Sequence, residues 1–231
     1  MAHINQKRPN TRLQIIQLAA RLFIDEGFSA TSLPKLAGLL DISSGNITFY
    51  FKTKHHLLAV LVDELFDFQS LMMEYAADEG TSSLLAYCLE LTAIAAICEK
   101  DPAAKDFYIA AYTSDITLDL IRENDTQKTK AVFAPWCPGW TDEQWRATEN
   151  IVSGIEYATI MTREADTPLP VQIERTLQAI MRLYNVPETL RKTKIEKVLA
   201  MDYRALGRRI LAEFREYIEK VNEENLKKSA K

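Results

Sequence analysis

The sequence contains few residues that interrupt helices. Its 231 residues include only 7 glycines and 8 prolines. Long stretches repeat apolar residues every three or four positions, which is the period of an amphipathic helix. We therefore predict an all-α fold. The chain is long enough, with 47% hydrophobic residues, for one small and one larger helical domain, each with its own core.

Cysteine is scarce, and apolar runs are short. Cys88, Cys98 and Cys137 are an odd number of cysteines without CxxC spacing, which favours a reducing compartment. No run of about 18 consecutive apolar residues is present, so no membrane span is expected. The N-terminal stretch MAHINQKRPN is polar and lacks the apolar centre of a signal peptide. We expect a cytoplasmic protein with no membrane partner.

The common catalytic and metal-binding motifs are missing. Histidine occurs only as His3, His55 and His56, and no HExxH, GxSxG or Gly-rich phosphate loop is present. The adjacent His55 and His56 would point about 100° apart on a helix, so they would not chelate one metal ion. We predict no enzyme activity, no catalytic residues, no metal and no cofactor.

The stretch from Thr11 to Leu58 predicts three short helices that lead into a fourth. Leu13, Ile16, Ala19, Ala20 and Phe23 recur at helical spacing and line one face of the first helix. Gly27 follows that helix, where a left-handed residue is needed. Thr31 or Ser32 can cap the second helix, and Ser43 or Ser44 can cap the third.

The third helix is predicted to leave an unusual face outward. Ile47 and Phe51 lie four residues apart and point inward, so Asn46, Thr48, Phe49 and Tyr50 spread over the other side. A helix held across another by a turn as short as Asp41-Ile42-Ser43 presents side chains to a DNA groove. The predicted DNA-binding residues are Lys7, Arg8, Arg12, Thr31, Ser32, Ser43, Ser44, Gly45, Asn46, Thr48, Phe49, Tyr50 and Lys54.

Each class of contact has an alternative explanation. Ser44, Asn46 and Thr48 could contact base edges, and Phe49 a thymine methyl group. Tyr50 and Lys54 could contact phosphates, and Lys54 begins the fourth helix, where free amides also attract anions. Alternatively, the N-terminal basic residues are simply disordered, and Lys54 is a solvated surface lysine.

The charge is unevenly distributed along the chain. The net charge is -4, but residues 1–56 contain seven basic and three acidic residues, giving +4 there and -8 in the remainder. A basic N-terminal region on an acidic body would direct that region toward phosphate. Scattered solvated lysines are the alternative interpretation of the same split.

The N-terminal quarter resembles the TetR-type transcriptional repressors. The matching residues are Ile16-x-x-Ala19-Ala20-x-x-Phe23, Gly27-Phe28-x-x-Thr31, Leu36-Ala37, Ile42-Ser43-x-Gly45-x-Ile47 and Tyr50-Phe51-Lys52-x-Lys54-x-x-Leu57. Two positions depart from the family pattern: Leu40-Asp41 stands in place of Ala-Gly, and Thr48 in place of tyrosine. The resemblance implies a homodimer that binds a palindromic double-stranded DNA operator, and a repressor that an unknown small-molecule effector releases.

Residues 1–56 are the predicted DNA-binding domain, and residues 57–231 the ligand-binding and dimerisation domain. In the second domain, the segment 133–141 contains two prolines, a glycine and two tryptophans. These aromatics either pack on the core or line a cavity for an aromatic or amphipathic ligand, in which Glu156 could orient a cationic group. The predicted ligand-binding residues are Tyr108, Tyr112, Trp136, Trp140, Trp145, Glu156 and Tyr157.

Two helices, over 142–163 and 169–184, carry broad apolar faces. The resemblance implies that this pair forms a four-helix bundle with its symmetry mate, and two-fold pairing would place two recognition helices about 34 Å apart. Alternatively, both faces are buried within one subunit. The predicted dimer interface contains Ile151, Ile155, Ala158, Ile173, Leu177, Ile180, Met181 and Tyr184.

The tail from Pro187 onward exceeds the nine-helix plan that the resemblance implies. Thr193-x-x-Glu196 predicts a capping box, and an apolar stripe follows from Ile195 to Val221. This helix either braces its own subunit or reaches across the dimer. The sequence as a whole predicts a DNA-binding transcriptional regulator. The alternative is a helical small-molecule-binding or interaction protein whose head no longer binds DNA, which the departures at Asp41 and Thr48 would explain.

Overall fold

Helices make up nearly all of the regular structure in the computed structural model, which describes residues 11–78, 82–162 and 167–229. Within these ranges eleven α-helices follow one another, no strand occurs, and a 3-10 turn lies at Ala134–Trp136. The helices are α1 Thr11–Asp25, α2 Leu33–Leu39, α3 Ser44–Tyr50, α4 Lys54–Asp78, α5 Ser83–Lys100, α6 Pro102–Thr113, α7 Asp115–Phe133, α8 Asp142–Met161, α9 Leu169–Leu183, α10 Glu188–Leu199 and α11 Tyr203–Ser229. The all-α prediction is confirmed.

Local signals set the ends of the first helices. Ser32 Oγ accepts a hydrogen bond from the Lys35 N–H at 3.2 Å, and Ser43 Oγ accepts one from the Asn46 N–H at 3.2 Å. These two serines, rather than Thr31 and Ser44, are therefore the caps of α2 and α3. Gly27 follows α1 with φ +96°, as the sequence predicted.

The first hydrophobic core joins α1 to α11. It contains the inward faces of α1–α3 together with Leu58 and Leu61 of α4, Phe107 of α6, and Phe214 and Ile218 of α11. The predicted boundary at residue 56 lies in the first turn of α4. The boundary between the two hydrophobic cores lies elsewhere, because side chains of α4, α6 and α11 belong to the same core as those of α1–α3.

The second core lies between α5 and α7–α10 and is rich in aromatic rings. Phe133 stacks on Tyr184 with ring centroids 4.2 Å apart, and Trp140 and Trp145 pack beside them. The segment 133–141 therefore packs on the core, which was the first of its two predicted interpretations.

The tail forms two helices instead of one. The predicted capping box is wrong, since Thr193 lies inside α10 and its hydroxyl donates to the Thr189 carbonyl at 3.0 Å. α11 packs against α1, α4 and α5 of its own subunit, where Gly207 allows close approach because an added Cβ would lie 3.1 Å from the Ala93 carbonyl oxygen. Of the two predicted roles, bracing its own subunit is observed. No helix of the described ranges is both long and apolar enough to cross a membrane.

Candidate nucleic-acid interface

The outer face of α3 is exposed to solvent. Phe49 is 80% exposed and Tyr50 41% exposed, whereas Ile47 on the inner face is fully buried. Ser44, Gly45, Asn46 and Thr48 are also exposed. A short helix that places two aromatic rings and an amide in solvent is anchored through Ile47 and leaves its other side available for a partner.

The turn before α3 fixes how this helix crosses α2. Asp41 adopts φ +52°, and the Ile42 N–H donates to the Ala37 carbonyl at 3.0 Å. This is the left-handed helix ending that glycine usually provides, and aspartate tolerates it. The departure at Asp41 therefore leaves the helix-turn-helix geometry in place.

The side chains on and beside the exposed face of α3 differ in which contacts they already make within the protein. The Thr48 hydroxyl donates back to the carbonyls of Ser44 at 3.3 Å and Gly45 at 3.2 Å. The Phe49 and Tyr50 rings contact each other edge to face, with centroids 5.1 Å apart. The two capping serines, Ser32 and Ser43, are exposed, and their hydroxyls can still donate while they accept from the helix amides.

One predicted DNA contact, Thr31, is wrong because its side chain faces the interior, and the half-buried Lys54 already donates hydrogen bonds to main-chain carbonyls. Thr31 is fully buried, and its hydroxyl donates to the Gly27 carbonyl at 3.1 Å. The Lys54 ammonium donates to the carbonyls of Phe28 at 2.6 Å and Thr31 at 2.8 Å. Lys54 also lies over the Phe28 ring at 3.9 Å, and desolvation lowers its pKa. The ammonium of Lys54 thus holds the loop between α1 and α2.

Other cations remain at the surface of this region. Arg12 is exposed, with its guanidinium 5.4 Å from the centre of the Phe51 ring. Lys52, directly after α3, is exposed as well, and the sequence prediction omitted it even though it belongs to the matched motif. Lys35 pairs with Glu26. The predicted contacts Lys7 and Arg8 lie outside the described residues.

Hydrogen bonds and ion pairs connect α1 and the loop that follows it to α6 and α11. Asp106 of α6 accepts from the Ser29 backbone N–H at 2.6 Å and from the Ser29 hydroxyl at 2.7 Å. On α11, Arg215 pairs with Asp25 of α1 at 3.1 Å and with Asp101 at 3.6 Å. Movements of the body can therefore reach the N-terminal helices through α6 and α11 as well as through α4.

The predicted ligand-binding residues do not come together around one ligand-sized cavity. Trp136, Trp140 and Trp145 pack with Phe133 and Tyr184 in the second core, and Tyr157 is half-buried elsewhere on α8. Tyr108, Tyr112 and Glu156 border a void of only about 30 Å³. The Tyr112 hydroxyl donates to Glu156 Oε2 at 2.8 Å. Burial, followed by the charge of Asp125, raises the pKa of Glu156 well above its ordinary value.

A larger cavity of about 520 Å³ lies between α4, α5 and α11. Its walls are mostly apolar, and its polar lining includes Gln69, Arg209 and Glu213. The apolar lining includes Leu65, Phe68, Leu89, Ile94, Ile210 and Phe214. Its volume lies within the range of small-molecule sites, about 300–1,000 Å³. Tyr108 is the one predicted ligand-binding residue that lines this cavity. The walls formed by α4, α5 and α11 were not predicted, because the assignment of the tail to one subunit was open.

The predicted dimer residues divide between two environments. On α8, Ile151 is 55% exposed, Ala158 is exposed and Ile155 is half-buried. On α9 the predicted interface residues are buried in their own subunit, so their assignment to the dimer interface is wrong: Ile173, Leu177, Ile180, Met181 and Tyr184. The large apolar side chain that α9 exposes is instead Val171, at 44% exposure.

Residues 15–61 match a family model described as "Bacterial regulatory proteins, tetR family", which confirms the resemblance inferred from the sequence. A probable HTH-type transcriptional regulator, YttP of Bacillus subtilis (strain 168), is 36% identical over 83 residues, covering 36% of this chain and 40% of that protein. The match thus spans less than half of the relative's length. Both descriptions are of regulators, in agreement with the prediction of a non-enzymatic protein.

Two solved structures show weaker similarity. One is the TetR family protein CprB from S. coelicolor A3(2), at 20% identity and a TM-score of 0.45, covering 82% of this chain and 98% of that one. The other is a gamma-butyrolactone receptor (ArpA-like protein), at 17% identity and a TM-score of 0.45, covering 88% of this chain and 97% of that one.

Proposed function

We propose, from the tetR-family region at residues 15–61, that this chain is a cytoplasmic, sequence-specific DNA-binding transcriptional regulator. The observation that carries the proposal is the outer face of α3, where Asn46, Phe49 and Tyr50 are exposed on a helix that a short turn holds across α2. Such a helix fits the major groove, where an amide can read adenine and an aromatic ring can contact a thymine methyl group. Residues 1–56 would form the DNA-binding unit.

Phosphate contacts would come from around this helix. Arg12 and Lys52 are the exposed cations nearest to α3 in sequence or packing, and Ser32 and Ser43 place hydroxyls at the starts of two helices. Such contacts fix the register of the protein on the duplex without reading its sequence. They also make affinity fall with salt, by about 0.9 in the logarithmic slope for each neutralised phosphate.

The proposed regulator acts as a homodimer on a palindromic operator. One short recognition helix contacts too few base pairs for a specific site, and two-fold pairing would set two of them about one DNA turn, roughly 34 Å, apart. The surface available for pairing is the outer side of α8 and α9, around Ile151, Ile155, Ala158 and Val171. Gly154, with no heavy atom within 4 Å of an added Cβ, leaves this surface flat enough for a second copy.

Repression with release by a small molecule is the proposed mode of regulation. An apolar ligand in the cavity between α4, α5 and α11 would push α11 away from α4, and α11 holds the N-terminal helices through Arg215 and Asp25. A ligand can shift the head spacing only by its difference in affinity for the two arrangements. The proposed effector is therefore an apolar molecule that binds better when α11 is displaced.

Selection from random double-stranded DNA, followed by a salt titration on the selected site, tests the regulator. We expect a palindromic site, binding as a dimer, and a steep salt dependence. Lys52→Ala should weaken binding to all sequences and reduce the salt slope by about one for each DNA-binding region, whereas Lys197→Ala, at an exposed position of α10, should change neither. If no site were selected, the second candidate function, a ligand-binding protein that does not bind DNA, would be favoured. The observation behind this candidate is the Thr48 hydroxyl, which donates to carbonyls of its own helix instead of standing free for a base.

The effector site is tested with an apolar dye, 1-anilinonaphthalene-8-sulfonate, as a probe of the cavity. Its fluorescence should rise with the wild-type protein and fall when Leu89→Trp fills the space beside Ile94. Ile116→Trp, at an exposed position of α7, serves as the control and should leave the dye signal unchanged. Equal signals from all three proteins would remove the cavity from the proposal while leaving the DNA-binding role intact.

A further inference from the structure

Three carboxylates meet in the interior between α7 and α8. Asp125 lies on α7, and Glu149 and Glu156 lie two turns apart on the same side of α8. Their exposures are 8%, 0% and 6%. One oxygen of each carboxylate lies within 4.8 Å of the others. Acidic side chains are rarely buried so completely without a positive partner, because ionised carboxylates lose their hydration.

The positive charge of the nearby Lys128 does not neutralise the three carboxylates. Lys128 Nζ lies 2.9 Å from Asp125 Oδ1 and 2.9 Å from Glu90 Oε1, so it already serves two carboxylates. Within the described chain no ion pair reaches Glu149 or Glu156; hydroxyl groups are their hydrogen-bonding partners. Tyr184 donates to Glu149 Oε2 at 2.9 Å, and Tyr112 donates to Glu156 Oε2 at 2.8 Å.

Two buried atoms beside the carboxylates have no hydrogen-bond partner in the described chain. They are Glu149 Oε1 and the hydroxyl oxygen of Tyr87, a residue that is only 1% exposed. Burial, followed by the charges of Glu156 and Glu149, raises the pKa of the Tyr87 hydroxyl. Leaving buried polar atoms without partners costs about 1–3 kcal/mol each, so both atoms indicate that something else occupies this place.

Space for an occupant exists next to the carboxylates. The void of about 30 Å³ is bordered by Asp125, Lys128, Glu156 and Tyr112. It can hold an ion with about one water molecule but no organic ligand. From the oxygens, the missing partners and the space, we propose that Asp125, Glu149 and Glu156 bind one hard divalent cation.

The chemistry of the donors narrows the choice of ion. All three donors are carboxylate oxygens, which Ca²⁺, Mg²⁺ and Mn²⁺ prefer over softer ligands. The three oxygens lie within 4.8 Å of one another, so one cation can contact all of them. Mg²⁺ demands near-ideal octahedral geometry and gives up its waters reluctantly, so a buried site with room for about one water molecule favours Ca²⁺.

A cation at this position would connect α7, which lies toward the proposed DNA-binding region, to α8, which carries the proposed dimer surface. α7, which carries Asp125, packs along α4, and the outer side of α8 carries the proposed dimer surface. The ion would thus stiffen the connection between these surfaces. Its binding does not depend on the proposed DNA-binding role, so the two can fail separately.

The experiment uses the full-length protein after treatment with EDTA. Titration calorimetry and equilibrium dialysis with Ca²⁺, Mn²⁺ and Mg²⁺ should show one saturable site per chain, with Ca²⁺ bound more tightly than Mg²⁺. Tb³⁺, a hard oxygen-seeking ion, should luminesce on excitation of the nearby tyrosines, and Ca²⁺ should compete with it. Failure of all three divalent ions to bind, or binding of spermidine in their place, would overturn the proposal.

Matched variants locate the site. Glu149→Gln and Glu156→Gln keep the shape of the side chains and should abolish the saturable site, while Glu123→Gln, on the exposed side of α7, should retain it. Circular dichroism establishes that each variant is folded, and the Tb³⁺ signal of the wild-type protein tests the site without any substitution. Retention of binding in both buried variants would show that the ion binds elsewhere and would refute the assignment.

Discussion

Ile47 and Phe49 stand two residues apart on α3, and they allow folding and DNA binding to be tested separately. Ile47 is fully buried, so Ile47→Ala should lower the free energy of unfolding by about 2–5 kcal/mol. Phe49 is 80% exposed. A phenylalanine offers about 150–250 Å², so a fifth of that is roughly 40 Å², and Phe49→Ala should cost about 1 kcal/mol at most.

The effect on DNA should be the reverse. If Phe49 contacts a base, its loss should weaken operator binding by about 1–3 kcal/mol, or about 5- to 150-fold. Ile47→Ala, measured where the protein remains folded, should change affinity far less. Urea unfolding followed by circular dichroism gives the stabilities, and fluorescence anisotropy with the selected operator gives the affinities. A Phe49→Ala variant that unfolds as readily as Ile47→Ala, or binds DNA as tightly as wild type, would refute the assignment of this face.

Three further predictions follow from other contacts. Asp106→Ala removes both hydrogen bonds to Ser29 and should lower the free energy of unfolding by about 1–2 kcal/mol in urea titrations. An equal loss in the control Asp119→Ala would contradict a stabilising role of the Asp106–Ser29 hydrogen bonds. In sedimentation, Ile151→Asp should convert the proposed dimer to folded monomers, whereas the control Ile116→Asp, at a position of 41% exposure on α7, should remain dimeric. If both variants were dimers, or both were monomers, the assignment of the dimer interface to α8 would be refuted. Burial raises the pKa of Cys88 and of Cys98 to about 12, so DTNB at pH 8 should label these thiols only after denaturation; rapid labelling of the native protein would mean that they are accessible.

Features set by a few neighbouring residues were predictable from the sequence. Helical spacing alone places Ile47 inside and Phe49 outside. A serine before each short helix supplies a cap, although the choice between Thr31 and Ser32 needed the structure because either hydroxyl could reach the same amides. Asp41 could be expected to adopt a left-handed conformation, and its φ of +52° agrees.

Features set by packing between distant residues were not predictable. The stripe on α9 could bury the same apolar area against its own subunit or against a partner, and hydrophobic periodicity does not distinguish the two. Lys54 turns inward because the carbonyls of Phe28 and Thr31, 26 and 23 residues earlier, come within its reach. The meeting of Asp125 with Glu149 and Glu156 likewise depends on how α7 lies on α8, and no local pattern in the sequence marks it.

The sharing of one core by α1 and α11 has a consequence for protein synthesis. Phe214 and Ile218 pack into the same cluster as Ile15 and Phe23, almost two hundred positions apart along the chain. The ribosome makes α1–α3 early, but their apolar packing is completed only when α11 leaves the exit tunnel. A chain truncated before α11 would therefore have N-terminal helices that lack part of their support, even though every residue of α3 is present.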